Sequence, residues 1–150
     1  MIRIQQASFD PGAEQLALCE GRSDIGAVVC FTGLVRDFNE KPDVEALSLE
    51  HYPGMTEAAL EQIVAEAEQR WPLDGVRLIH RVGKLLPGDA IVLVAVASAH
   101  RRAAFEACDF IMDYLKTRAP FWKKEHTCHG DYWVAERSTD KHAARRWETV

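Results

Sequence analysis

The chain has 150 residues, is 47% hydrophobic and carries a formal net charge of −5 at pH 7. This supplies one domain, residues 1–150, with apolar material for a core; no run approaches the roughly 20 apolar residues of a membrane span, and the acidic balance argues against general nucleic-acid binding. Four scattered cysteines (19, 30, 108, 128) without a C-x-x-C pair, and an N-terminus without a signal-peptide pattern, fit a cytoplasmic protein with reduced thiols.

In chain order, residues 2–6 read as a short edge strand, and Asp10-Pro11-Gly12 as a break. Ala13 to Glu20 is helical in pattern, stopped by Gly21. Gly26 to Val35 is almost continuously apolar and β-rich, which predicts a buried strand, with Gly33 marking a bulge or close backbone approach. Residues 37–43 form a polar loop around Pro42. Val44 to His51 alternates as a half-buried strand. Pro53-Gly54 turns the chain, and Thr56 is the expected N-cap of a helix over 56–70 with apolar residues at 59, 60, 63, 64 and 67. Strands follow at Val76–Val82 and Ala90–Ala97, joined by a turn at Leu86–Asp89. A second helix spans Ala99 to Leu115, and Pro120 forces Ala119 to extend. Phe121–Lys124 and Asp131–Ala135 pair around a turn, and Thr139–Trp147 closes the chain as a short helix. This order predicts an α+β fold with a mixed, mostly antiparallel sheet.

Charge is not spread evenly. Between Arg101 and Lys124 six Lys/Arg face three acids, a local excess of three positive charges in an acidic chain. Such a field holds an anion without making the whole surface adhesive. Lys116 falls on the helix face of Asp109 and Asp113, where a solvated pair with Asp113 is the plain structural alternative. Lys123 follows Phe121-Trp122, so its stem lies on aromatic surface; a snorkelling lysine is the alternative there. Ser98-Ala99-His100-Arg101 sits where a strand hands over to a helix. Free backbone N–H groups at such a junction bind anions, with Ser98 as a simple N-cap the alternative. A cation in the first helical turn opposes the helix dipole, so Arg101 asks for a reason. Arg36 ends the first long strand next to Gly33, in reach of a phosphate. His126, Cys128 and His129 form a compact H-x-C-H without a second ligand pair, so no metal site is expected.

Six segments occur in order: Thr32-Gly33-x-Val35-Arg36, Glu50-His51-Tyr52-Pro53-Gly54-Met55, Ile79-His80-Arg81-x-Gly83, Pro87-Gly88-Asp89, Ser98-Ala99-His100-Arg101 and Lys116-x-x-x-Pro120-x-Trp122-Lys123-Lys124-Glu125. Together, over roughly residues 25 to 135, they resemble the large, catalytic MoaE-type subunit family of molybdopterin synthase. The resemblance implies an α/β hammerhead with an added small β subdomain. It also implies a homodimer at the centre of a heterotetramer, with a small ubiquitin-like MoaD-type sulfur carrier as partner. The carrier's C-terminal thiocarboxylate would supply sulfur to cyclic pyranopterin monophosphate, giving the dithiolene of molybdopterin with no further cofactor. Lys116 and Lys123 match the catalytic lysines. Leu34, Val35, Arg36, His100, Arg101, Lys124 and Glu125 match substrate-binding positions.

Other readings use the same residues. A cysteine persulfide on Cys30 or Cys128 would carry sulfur beside cations that lower its pKa. A non-catalytic module would bind a phosphorylated ligand or an acidic tail. A single-stranded RNA binder built on Phe121-Trp122 conflicts with the acidic charge.

Overall fold

A computed structural model describes residues 1–36, 43–134 and 138–148. Of the expected 37–43 loop only Asp43 falls among them, and Ala135 lies outside. The elements are β1 (Ile2–Gln5), α1 (Pro11–Cys19), β2 (Ala27–Leu34), β3 (Val44–His51), α2 (Met55–Arg70), β4 (Gly75–Arg81), β5 (Gly83–Leu85), β6 (Ala90–Ser98), α3 (Arg101–Arg118), β7 (Phe121–Thr127), β8 (Gly130–Trp133) and α4 (Ser138–Arg145). The α+β class holds. One sheet has the order β1-β4-β6-β2 and is antiparallel except for β1 beside β4; a second, β5-β3-β7-β8, is wholly antiparallel.

The apolar stripes of α2 and α3 explain the core. Leu60, Ile63 and Ala67 of α2 and Phe110, Ile111 and Tyr114 of α3 pack on Leu78 of β4 and Val94 and Val96 of β6. Every residue from Leu93 to Ala97 is fully buried, which is why β6 reads as a continuous apolar run. The C-terminal segment closes the far side of this core. Trp147 meets Trp71 and Phe110 edge-on at 5.7 and 5.5 Å.

Four local expectations change. β2 is a sheet edge rather than a buried strand, leaving Phe31 41% and Leu34 56% exposed; apolar residues on both faces read as buried whether or not anything covers them. The Asp10-Pro11 pair starts α1 instead of breaking the chain. Asp10 caps it by accepting from the Gly12 and Ala13 amides, and Pro11 occupies the first turn. Gly54, at φ +85°, is the N-cap of α2, and Glu57 reaches back to its amide. Thr56 is instead fully buried. The N-cap of α3 is His100, while Ser98 ends β6 and donates to the Pro72 carbonyl at 2.7 Å. The short β5 was not foreseen: Gly83, at φ +89°, lets the chain leave the first sheet and join the second opposite Leu49. The bulge expected at Gly33 is present as a register shift between Gly33 and Leu34.

Candidate active site

The site forms where the end of α3, the start of β7 and the end of β3 meet. Thr56 holds that corner together. Its Oγ1 accepts from the Tyr52 amide at 2.9 Å and donates to the Pro120 carbonyl at 3.0 Å. This ties the His51-Tyr52 bend to the Ala119-Pro120 bend that carries the chain from Lys116 to Lys123. Ala119 is extended, as the proline requires.

The β3–β7 register sorts the charges. Phe121 lies opposite His51, Lys123 opposite Leu49 and Glu125 opposite Leu47, so Lys123 and Glu125 share the face of the buried leucines. Trp122, Lys124 and His126 take the other face. There Lys124 sits 3.9 Å from Glu50 and 4.5 Å above the Trp133 ring. The adjacent lysines therefore diverge, and Lys124 is not brought to the Lys116–Lys123 group.

His80, on β4, is the floor of the site. It is 5% exposed and stacks on Phe121 with ring centroids 3.8 Å apart. Its Nδ1 lies 2.8 Å from the Arg81 carbonyl, so Nδ1 carries the proton and Nε2 is the acceptor of a neutral ring. Burial holds its pKa down to about 4, opposed by that backbone hydrogen bond and reinforced by the charges of Lys116, Lys123 and His51. The three basic groups that disfavour its charged form stand on three different elements, α3, β7 and β3. Sequence reading gave His80 and His51 no role. The signal was present: a histidine inside the apolar strand Val76–Val82, and another at the bend into Pro53-Gly54.

Lys116 is exposed at the last turn of α3. The pair with Asp113 does not form. That carboxylate is taken by Arg146 at 2.8 Å and by the Trp147 indole N–H at 2.6 Å. Val35 is buried with Leu49, Leu85 and Ile91. Its N–H donates to the Asp89 carbonyl at 2.9 Å and its C=O accepts from Gly88 at 2.8 Å. The Pro87–Asp89 turn thereby fixes the strand end from which Arg36 emerges, and Val35 offers no free peptide group. Because Leu49 pairs with Lys123, Arg36 leaves the sheet at the lysine end of the molecule.

His100 and Arg101 lie elsewhere. With Arg102, Phe105 and Glu106 they line an open cavity of about 400 Å³. The first turn of α3 has no acid and no side-chain cap, so its N–H groups and cations face an anion-ready space. Fifteen residues of helix separate Arg101 from Lys116, about 22 Å at 1.5 Å per residue. One copy of the chain does not bring these two cation groups to one small ligand.

Cys108 is buried and its pKa is pushed up to about 12, mainly by burial. Cys30 is exposed on β2, and desolvation raises its pKa too. Cys128 is at the β7–β8 turn.

The family model for the MoaE protein matches residues 4–118. The molybdopterin synthase catalytic subunit of Pseudomonas aeruginosa is 61% identical over 147 residues, covering 98% of each chain. Among solved structures, the molybdopterin biosynthesis MoaE protein from Burkholderia ambifaria aligns with a TM-score of 0.85 and 56% identity, over 99% of this chain and 97% of that one. Molybdopterin synthase from Staphylococcus aureus aligns with a TM-score of 0.80 and 33% identity, over 88% and 95%.

Proposed function

The chain belongs to the MoaE family, and from that premise we propose how its two cation groups serve one reaction. The protein is a sulfurtransferase of molybdenum cofactor biosynthesis, acting as a catalytic subunit of molybdopterin synthase. Its sulfur donor is the C-terminal thiocarboxylate of a small ubiquitin-like carrier, and its substrate is cyclic pyranopterin monophosphate. Both are anions, which is what a local positive field in an acidic protein suits. The sulfur attacks a substrate carbon and displaces its oxygen, in one round the phosphate ester oxygen, which opens the cyclic phosphate to a monoester, and in the other an oxygen that leaves as water. Water then cleaves the acyl–sulfur bond, leaving the carrier as a carboxylate. Two rounds build the dithiolene.

Lys116 moves protons during attack and ring opening. Lys123 balances the developing negative charge and holds the phosphate with Arg36. The observation that carries this reading is the corner tied by Thr56, which sets Lys116 before the Pro120 bend and Lys123 after it, with buried His80 stacked on Phe121 beside them. With the Asp113 carboxylate engaged by Arg146 and Trp147, Lys116 is left to the ligand.

His100 and Arg101 join the same site from a second copy. The roughly 22 Å of α3 between the two groups in one chain supports this reading. The exposed apolar edge at Phe31 and Leu34 is the kind of surface a homodimer covers. A two-fold dimer gives each copy's lysines the other's helix N-terminus.

The test is turnover with thiocarboxylated carrier and cyclic pyranopterin monophosphate, read as molybdopterin by fluorescence of its oxidised derivative. Product that is lost in Lys116→Ala supports the assignment. A folded protein that binds both ligands without product is a binding module, and the proposal is then wrong.

A further inference from the structure

His126, Cys128 and His129 suggest a metal only as a crowded sequence motif, and the structure removes one member. The His126 ring is fully engaged, Nδ1 with Asp131 at 2.9 Å and Nε2 with the Ser48 hydroxyl. It supplies a different member in its place. β3 and β7 pair antiparallel with Val44 opposite Thr127. The residue before one strand therefore lies beside the residue after the other, and Asp43 meets the turn although 85 positions separate it from Cys128. A carboxylate oxygen of Asp43, Sγ of Cys128 and a ring nitrogen of His129 all lie within 4.8 Å of one another.

The backbone beneath them is braced. Thr127 Oγ1 donates to the Gly130 carbonyl at 2.7 Å and accepts from the His129 amide at 3.1 Å, while Gly130, at φ +127°, turns the chain back into β8. The Cys128 and His129 side chains start from a fixed turn, and all three ligands are exposed, so a cation needs no entry path.

We infer that Asp43, Cys128 and His129 form a binding site for a divalent zinc-like cation. The donor set selects the metal class. Calcium and magnesium take oxygen ligands, whereas thiolate plus imidazole plus carboxylate suits zinc. Bond lengths of about 2.0 to 2.3 Å place tetrahedral ligands roughly 3.3 to 3.8 Å apart. The ligand atoms, within 4.8 Å of one another on exposed side chains, have to draw in to that spacing on binding. On binding, the thiol gives up its proton to solvent and the fourth position keeps a water. The site is not part of the sulfur chemistry: Cys128 lies five residues along β7 from Lys123, about 16 Å away. Its effect is to staple the start of β3 to the β7–β8 hairpin.

Cobalt is the probe, because a Co–thiolate bond gives a charge-transfer absorption, and Cys128→Ser distinguishes this thiol from the other exposed one, Cys30. The reduced full-length protein is titrated with Co²⁺ and then with Zn²⁺. The expected result is one ion per chain, a band that vanishes in Cys128→Ser, at least tenfold weaker binding in Asp43→Asn and in His129→Ala, and displacement by zinc. Turnover of Cys128→Ser remains that of the parent, which keeps this result independent of the synthase assignment. Absence of the band, its persistence in Cys128→Ser, or affinity unchanged in both Asp43→Asn and His129→Ala overturns the site.

Discussion

The imidazole of His80 lies flat on the ring of Phe121, with centroids 3.8 Å apart and planes within 15° of parallel. This stack joins the two sheets beneath the lysines, since His80 belongs to β4 and Phe121 to β7. A neutral ring is the only form that fits there. A buried positive charge beneath the exposed cations Lys116 and Lys123 would be repelled and poorly solvated.

That has a consequence for acid stability. An unfolded histidine takes its proton near 6.5, and folded His80 near 4. Between those values the unfolded state binds more protons, so stability falls as pH falls. The contribution is fully present above about pH 6.5 and lost by about pH 4, on the order of 3 kcal/mol across the window. Urea unfolding of the parent and His80→Gln at pH 7 and pH 5 checks it. The parent is expected to lose clearly more stability between the two; equal losses would refute the neutral buried histidine.

Lys116→Ala separates chemistry from architecture. The side chain is exposed at the end of α3, and the nearby Asp113 is held by Arg146 and Trp147. Its removal is expected to change stability by less than about 0.5 kcal/mol. Turnover should fall by roughly 10² or more, the usual weight of a positioned proton-transfer group. Thermal unfolding beside single-turnover product formation reads both. The reverse pattern, low stability with normal turnover, would return Lys116 to a structural role.

Much of this was legible in sequence, for a physical reason. α2 and α3 repeat their apolar residues at helical spacing, and β6 is apolar throughout because both faces are covered. Proline at 120 announces the corner between the two lysines. The misses come from information that local pattern does not hold. Whether the apolar strand β2 is covered depends on its neighbours in the sheet. The partner of Asp113 is Arg146, 33 residues on. Lys123 and Lys124 both fall in the basic stretch, yet a strand sends consecutive side chains to opposite faces. The helical rise separates Arg101 from Lys116, although both belong to one compact stretch of charge.

The cysteines test the persulfide alternative. A sulfur carrier needs an exposed thiolate near the cations, and Cys108 is buried with its pKa near 12. Cys30 is exposed but its pKa is raised. With thiocarboxylated carrier as donor, Cys30→Ser and Cys128→Ser are expected to keep parental turnover within about twofold. Loss of product in either variant, with the fold intact, would move the chemistry to that thiol.

Gly26 governs the helix end of the site. A Cβ there would stand 2.1 Å from the Ala99 carbonyl oxygen, and its amide already donates to the Ser98 carbonyl at 3.1 Å. Gly26→Ala must push the Ser98–His100 handover away from β2. The expected cost exceeds about 2 kcal/mol in urea unfolding. Stability within about 0.5 kcal/mol of the parent would mean that this junction yields easily.

The separation of Arg101 from Lys116 makes the dimer testable without a structure of it. If each site takes its lysines from one copy and its His100 and Arg101 from the other, Lys116→Ala and Arg101→Ala homodimers are each inactive in both sites. A mixed dimer is different. One of its sites collects both substitutions, and the other is wholly native. Equal amounts of the two variants, unfolded and refolded together, form mixed dimers as about half of the population, each with one working site. Turnover should recover to about a quarter of the parent's, where either variant alone shows almost none. Recovery requires mixing at the level of chains, so variants refolded separately and then combined give no gain unless subunits exchange. A mixture refolded into intact dimers that stays as inactive as its parts would place both substitutions in one site of one copy, and the intersubunit assignment would fall.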